Sequence, residues 1–242
     1  MQDKTLQKLQ KQPLYRQVEE HILSKINEGY FLINEALPSE WDLAKLLDVS
    51  QGTVRKALTE LVEYGILSRQ QGVGTFVNPP PSDWGKFPLN VSDKSNLIQE
   101  EPKQEILSLS KVTIPDAATH FLNLRRAQQA WQITSLWRLN AKVIAVDYAY
   151  LSCEFLEHLS ARVIKESGGL YSFLQRKHAT HIAVKEEQLF VMRLAKEEAV
   201  LLQADTADAA TLIIRMTQNL NAEPIEWRKR ILLNHEFAIV IR

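Results

Sequence analysis

The sequence predicts a two-domain chain in which each domain mixes helices with antiparallel strands. Three observations lead there. Between Pro38 and Val77, two helical periods joined by a tight turn run into a pair of short β-prone segments. A proline-rich stretch over 78–88 has no apolar period. Beyond Glu105, strand-like and short helical patterns alternate to the end, as in an α+β domain with helices on one face of a sheet. With 242 residues and 45% apolar side chains, the chain has material for one large or two ordinary cores.

Taken in order, residues 1–12 are polar and rich in Lys and Gln and read as a flexible arm. Pro13 suits a first helical position, and Leu14, Val18, Ile22 and Ile26 recur every four residues until Gly29. Residues 30–37 form a crossing loop. Ser39 then stands where an N-cap belongs, with Leu43, Leu46 and Leu47 marking one buried face. After a break at Asp48-Val49, Ser50 caps a further helix whose inward stripe is Val54, Leu58 and Leu61. Gly65 ends it. Residues 66–69 and 75–77 are β-prone runs around a glycine-containing turn, Gln70 to Gly74.

The boundaries expected from these patterns are an arm at 1–12, a first domain at 13–78, a linker at 79–104 and a second domain at 105–242. Within the second domain, 106–112 is β-like and Pro115 starts a helix through Ala118, Phe121 and Leu122. Residues 130–139 and 143–151 form a hairpin around Asn140-Ala141-Lys142. Phe155, Leu156, Leu159 and Val163 make a helix, and Gly168-Gly169 opens another through Leu170, Tyr171 and Leu174. A long strand over 182–194, a helix over 196–202, a hairpin of 211–220 with 225–233, and a strand over 237–241 that closes the sheet complete the reading.

Composition removes several functional classes. No apolar run approaches the roughly 18 residues of a membrane span, and the start lacks the apolar stretch of a secretory signal, so a cytoplasmic protein without membrane contact is expected. Cys153 is the only cysteine, which forbids an intrachain disulfide and argues against a cysteine metal site. The six histidines include no HExxH, His178 and His181 form an isolated HxxH, and no GxSxG, P-loop or GxGxxG is present. No catalytic residue, metal or cofactor is therefore expected.

On the outer face of the third helical segment, Gln51, Thr53, Arg55 and Lys56 crowd the first turns, the end that a helix-turn-helix inserts into the major groove. The charge balance is unusual for such a role, with 29 basic against 29 acidic residues overall and nine against ten up to Asn78. Attraction to DNA must come from placement, through Arg55, Lys56 and Arg69, and the salt dependence should be shallow.

The pieces Leu37-Pro38-Ser39-Glu40, Val49-Ser50, Thr53 to Leu58, Gly65-Ile66-Leu67 and Gln71 to Val77 resemble the winged helix-turn-helix of the GntR family of bacterial transcription regulators. The resemblance implies double-stranded DNA as partner and contacts from Ser39, Glu40, Trp41, Ser50, Gln51, Gly52, Thr53, Arg55, Lys56, Arg69, Gln71 and Gly72. Family members usually carry arginine where Trp41 and Gln51 stand, so the operator should depart from the common pattern, with Gln51 suited to adenine. Gly52 lets the helix end approach DNA closely, as Gly72 does for the wing.

The second half, through Arg138-Leu139, Val143 to Asp147, Tyr150-Leu151, Gly169 to Leu174 and Pro224 to Trp227, resembles the UTRA ligand-sensing domain of HutC-type members, an antiparallel-sheet α+β fold shared with chorismate lyase. It implies a homodimeric repressor on a palindromic operator, controlled by a small anionic effector. Candidate pocket residues are Arg138, Asp147, Tyr150, Gly168, Gly169, Tyr171 and Glu226. Arg138 is expected to hold the effector's acid or, alternatively, to pair with Asp147 across the hairpin. Gly168-Gly169 at a helix start offers unpaired N–H groups to an anion. Leu136 and Gly169 replace a basic residue and a serine frequent in the family, which favours a carboxylate over a sugar phosphate. The alternative is a chorismate-lyase-like enzyme of small aromatic acids fused to a winged helix.

Overall fold

The computed structural model describes residues 12–84, 89–93, 96–99, 102–139, 141–233 and 237–239. The expected arm, except for Gln12, therefore lies outside the described residues, as do Asn140 of the first hairpin turn and residues 240–241 of the last expected strand. The chain divides into two compact units at Pro79/Pro80.

In the first unit, α1 (Leu14–Asn27) buries Val18, Ile22 and Ile26, whereas Leu14 at its start is exposed. Helix α2 (Glu40–Leu47) begins at Ser39, whose hydroxyl accepts the Asp42 N–H at 3.2 Å. Leu43 and Ala44 form its buried face; Leu46, expected inside, is 73% exposed. Eight residues make barely two turns, and only one side of them meets a partner. Asp48 turns the chain in the left-handed region at φ 52°, and Ser50 caps α3 (Gln51–Glu63) by accepting the Thr53 N–H at 3.1 Å. Val54, Ala57, Leu58 and Leu61 fill the space between the three helices. Gly65, at φ 73°, releases the chain into the wing, β1 (Leu67–Gln70) and β2 (Gly74–Val77), paired antiparallel with Leu67 opposite Val77. Asn78 closes the unit with its N–H on Ile66 O and its side-chain amide on Gly65 O.

The second unit holds a six-stranded antiparallel sheet in the order β5-β6-β7-β10-β9-β8. Its strands are β5 (Lys103–Thr113), β6 (Gln129–Leu139), β7 (Lys142–Ser152), β8 (Ala183–Arg193), β9 (Ala209–Gln218) and β10 (Pro224–Leu233). The stretch 89–99, expected as loop, instead supplies β3 (Leu89–Asp93) and β4 (Asn96–Gln99). These pair with β11 (Phe237–Ile239) in a separate three-stranded sheet, so the last strand does not close the large one.

The helices also differ from expectation. They cover both faces of the sheet rather than one. Successive β7 residues point to opposite sides. Ala149 and Leu151 pack with α5 (Ala161–Glu166) and α6 (Leu170–His178), while Val146 packs with α7 (Lys196–Leu202) and Tyr150 with α4 (Asp116–Thr119). The helix expected to include Phe155, Leu156 and Leu159 begins only at Ala161, although Leu156 and Leu159 are buried in the same cluster.

His181, between α6 and β8, is buried with its Nε2 unpartnered, and burial pushes its imidazole from 6.5 down to about 4. The native ring stays neutral where the unfolded one protonates, so stability is expected to fall as pH drops from 6.5 to 4 and to level off below. The window corresponds to about 3 kcal/mol at most. Denaturant titrations across this range should show that component in the native protein and not in His181→Leu.

Candidate functional site

In the first unit, the exposed start of α3 lies beside α2 and the wing strand β1, and Glu40 ties the three together. Its carboxylate accepts Arg55 Nε at 2.8 Å and Arg69 Nη2 at 3.3 Å, and Arg69 also donates to the Thr59 hydroxyl at 3.1 Å. Both guanidiniums stay substantially exposed, at 60% and 43% of their side-chain surface. Most of their five donors thus remain available on one surface. Ser50 and Thr53 share a hydroxyl contact of 2.8 Å at the helix start, where Gln51 and Gly52 are exposed. Ser39 caps α2, Trp41 is 63% exposed with Lys45 over its ring, and Gln71 and Gly72 sit at the wing turn with Gly72 at φ 74°. Lys56 is drawn toward α1, its ammonium 3.8 Å from the centre of the Tyr15 ring. Among the predicted DNA residues, Arg55 and Arg69 come together around Glu40; Lys56 points elsewhere.

In the second unit, charged side chains are buried on the sheet face that carries α5 and α6. Arg230 on β10 stands directly opposite Asp147 on β7 in register, and binds its carboxylate through Nε at 2.6 Å and Nη2 at 2.5 Å. Arg228 adds a contact to Asp147 at 3.1 Å and holds Glu226 through Nε at 2.7 Å. Glu226, fully buried, also accepts the Tyr171 hydroxyl. Trp137 Nε1 donates to Asp147 at 2.8 Å. Arg215 on β9 binds Glu187 on β8 at 2.6 Å. Burial alone would raise the Asp147 carboxyl, but Arg230, Arg228 and Trp137 together hold it below the usual carboxylate range. The Tyr171 phenol is pushed well up by burial and by Glu226, and stays a hydrogen-bond donor.

The structure thus joins Asp147, Glu226 and Tyr171 through Arg228, and brings Gly169 close by at the start of α6, where Gly168 and Gly169 have φ of 87° and 123°. The N–H groups of the two glycines are not free as expected: they close the end of α5 on the carbonyls of Lys165 at 3.1 Å and Ile164 at 3.0 Å, and the helix-start donors that face a carboxylate are those of Leu170 and Tyr171. Tyr150 is on the opposite face, packed against Trp227 at 5.8 Å. Arg138 does not pair with Asp147. It binds Glu105 at 2.8 Å and the Ala141 carbonyl at 3.2 Å at the sheet margin. A cleft of about 570 Å³ runs between β5 and α5 from Glu105 to Gly169, and Arg138 reaches it only through Glu105. A second cavity of about 320 Å³ shares Gln104 and Gly168 with it and is walled by residues 80–83 and Trp137.

Sequence reasoning missed Arg215, Arg228, Arg230, Asp83 and Trp84. A signal for two of the missed group existed: Arg228 and Arg230 follow the predicted Glu226 at alternate positions on an apolar strand with Trp227 and Ile231, which puts three charges on one face. Among the described residues no cluster of His, Cys, Asp and Glu suited to a metal occurs, and no helix is long and apolar enough to cross a membrane.

An exposed helix start beside braced arginines, followed by a sheet domain with a buried ionic network, has the layout of a DNA-binding regulator with a sensing domain. Comparison with known proteins agrees. Residues 14–77 match the bacterial regulatory proteins of the gntR family, and residues 99–238 match the UTRA domain. The chain belongs to the GntR family, in its UTRA-bearing branch. It is 24% identical to the HTH-type transcriptional repressor NagR of Bacillus subtilis (strain 168), over 94% of this chain and 93% of that protein. It is 25% identical to the histidine utilization repressor of Pseudomonas putida, over 85% and 82%. Its fold is similar to that of YydK from Bacillus subtilis subsp. subtilis str. 168, with a TM-score of 0.55 at 18% identity, covering 96% of this chain and 99% of that one. The chain is a GntR-type transcriptional repressor with a UTRA effector domain, not an enzyme, which removes the lyase alternative.

Removing the Asp147 charge takes the carboxylate partner from the buried Arg230 and one of two from Arg228, which keeps Glu226. Asp147→Asn is expected to lower stability by about 3 to 5 kcal/mol, read as a lower urea midpoint at unchanged slope. Arg138→Ala, which breaks a partly exposed pair with Glu105, should cost less than about 1 kcal/mol.

Proposed function

We propose that the protein represses transcription as a homodimer in the cytoplasm, with two α3 helices reading the half-sites of a palindromic operator about one helical turn apart. A small organic carboxylate in the second domain controls the affinity. The observation that carries the DNA reading is the Glu40 brace, which presents Arg55 and Arg69 on the surface that also exposes Gln51 and Gly52. Arg55 contacts DNA directly, Arg69 and the wing turn at Gln71-Gly72 approach the sugar-phosphate backbone, and Gln51 reads a base edge. Ser39, Glu40, Ser50 and Thr53 hold the helix ends in position, with Trp41 and Lys56 at the flanks.

The effector reading rests on the start of α6 and the network around Arg228. Gly168, Gly169, Tyr171, Asp147 and Glu226 frame a site for an anion with hydrogen-bonding groups, and Arg138 shapes its margin through Glu105. Relatives are named for histidine utilization and for mannosyl-D-glycerate transport and metabolism, which supports a catabolic gene set as the target. A coupling of about 1 to 3 kcal/mol suffices to change operator affinity about 5- to 150-fold.

Arg55→Ala should weaken binding to the protein's own promoter fragment about 5- to 150-fold, measured by fluorescence anisotropy at low ionic strength, without shifting the melting temperature. Native affinity in that variant would remove Arg55 from the interface.

A further inference from the structure

Asp83 and Trp84 sit in the second unit the way a bound molecule would. The Asp83 carboxylate accepts the N–H groups of Leu170 at 2.5 Å and Tyr171 at 2.9 Å, at the positive end of the nine-residue α6. Its main-chain carbonyl accepts from Arg228 at 2.7 Å, Arg230 at 3.1 Å and Arg215 at 3.2 Å. The Trp84 carbonyl accepts from Arg215 at 2.9 Å and from Arg230. The indole lies 4.1 Å from the Arg230 guanidinium and edge-on to Trp137 at 4.9 Å. Arg215, Arg228 and Arg230 are paired to Glu187, Glu226 and Asp147, and each still turns donors to a connecting segment, as the guanidiniums of an anion site would turn them to a ligand.

A second observation is steric. A Cβ at Gly169 would lie 2.5 Å from Asp83 Oδ2, so the site is cut to admit this carboxylate. On the same sheet face, across from Glu226, Thr217 is fully buried with an unpartnered hydroxyl. The segment is also an imperfect occupant. Burial pushes the Asp83 carboxyl up even though Arg228 and the two amides oppose it. The 320 Å³ cavity along residues 80–83 gives a competitor room to enter.

We propose that Asp83 and Trp84 are a built-in ligand: they occupy the place of the carboxylate effector, which binds by displacing them. This rests on the effector reading above and adds how the site is regulated. With Asp83 docked, only residues 79–82, three of them proline, separate it from Asn78, which is bonded to Gly65 and Ile66. Once Asp83 and Trp84 leave their site, both residues are added to the connection that follows Asn78. Occupancy of the site thereby sets how tightly the DNA-binding unit is leashed.

The test uses the full chain as native protein, Asp83→Ala and Asp83→Asn, with sodium acetate and inorganic phosphate as probes and chloride at matched ionic strength. Melting temperature and amide exchange are followed. The half-saturating acetate concentration should be at least about tenfold lower in Asp83→Ala than in the native chain, with Asp83→Asn between. Acetate should protect the Leu170 and Tyr171 amides in the variants and speed exchange over 82–84 in the native protein. Equal responses in all three chains, with exchange over 82–84 unchanged, would overturn the built-in ligand and keep an anion-sensing domain. A response to phosphate alone would overturn the carboxylate assignment. No response in any chain would overturn both this inference and the effector reading. Should Asp83→Ala fail to fold, the isosteric Asp83→Asn carries the comparison.

Discussion

The pair of Arg230 and Asp147 governs the second unit, because it places an ion pair in direct cross-strand register between β7 and β10 with both side chains buried. Two charges removed from water are tolerated only when nearly every donor and acceptor finds a partner. That requirement propagates. Arg228 must bridge to Glu226, Glu226 takes the Tyr171 hydroxyl, and Trp137 is turned to Asp147. A one-residue slip between the two strands would send these groups to the opposite face, among Val146, Ile231 and the apolar side of α7. The network therefore selects one register, and it holds α6 at a fixed height above the sheet through Tyr171.

How much of this was legible in the sequence follows from what each pattern encodes. Alternation and the helical period report which side chains share a face, so the three helices of the first unit and the two long hairpins of the second were readable. The period does not report whether a partner covers that face. Leu46 and Leu14 fit the stripe and still face solvent, since α2 is short and α1 begins before its neighbours reach it. Helices on both sheet faces were hidden for a related reason: Val143 to Val146 is apolar without interruption, which fits burial on either side. The segment 89–99 escaped because its short strands are completed by Phe237–Ile239, more than a hundred residues downstream.

The effector-site candidates divide along the same line. Asp147, Tyr171, Glu226 and the paired glycines lie in the pieces that carry the UTRA resemblance, and they fall together. Arg138 was chosen because the UTRA resemblance gives a basic residue at this place the effector's acid to hold, whereas here Glu105 on the neighbouring strand supplies its anion. Arg228 and Arg230 went unnoticed because Lys229 between them makes the run look like a solvated charge cluster, although the strand period puts Lys229 on the other face. Asp83 and Trp84 belong to a stretch whose prolines mark it as a connection, and no local pattern says that a connection will be docked.

Glu40 gives the first unit a kinetic character. By sharing one carboxylate between Arg55 and Arg69, it fixes their geometry while cancelling part of their field, in a unit whose charges already balance. On the DNA reading proposed above, few counterions would be expelled when such a surface meets an arbitrary stretch of chromosome, and dwell times there would be brief. Copies of the protein would then seldom be sequestered on irrelevant sequence, leaving occupancy of the target to fit at the base edges rather than to bulk attraction.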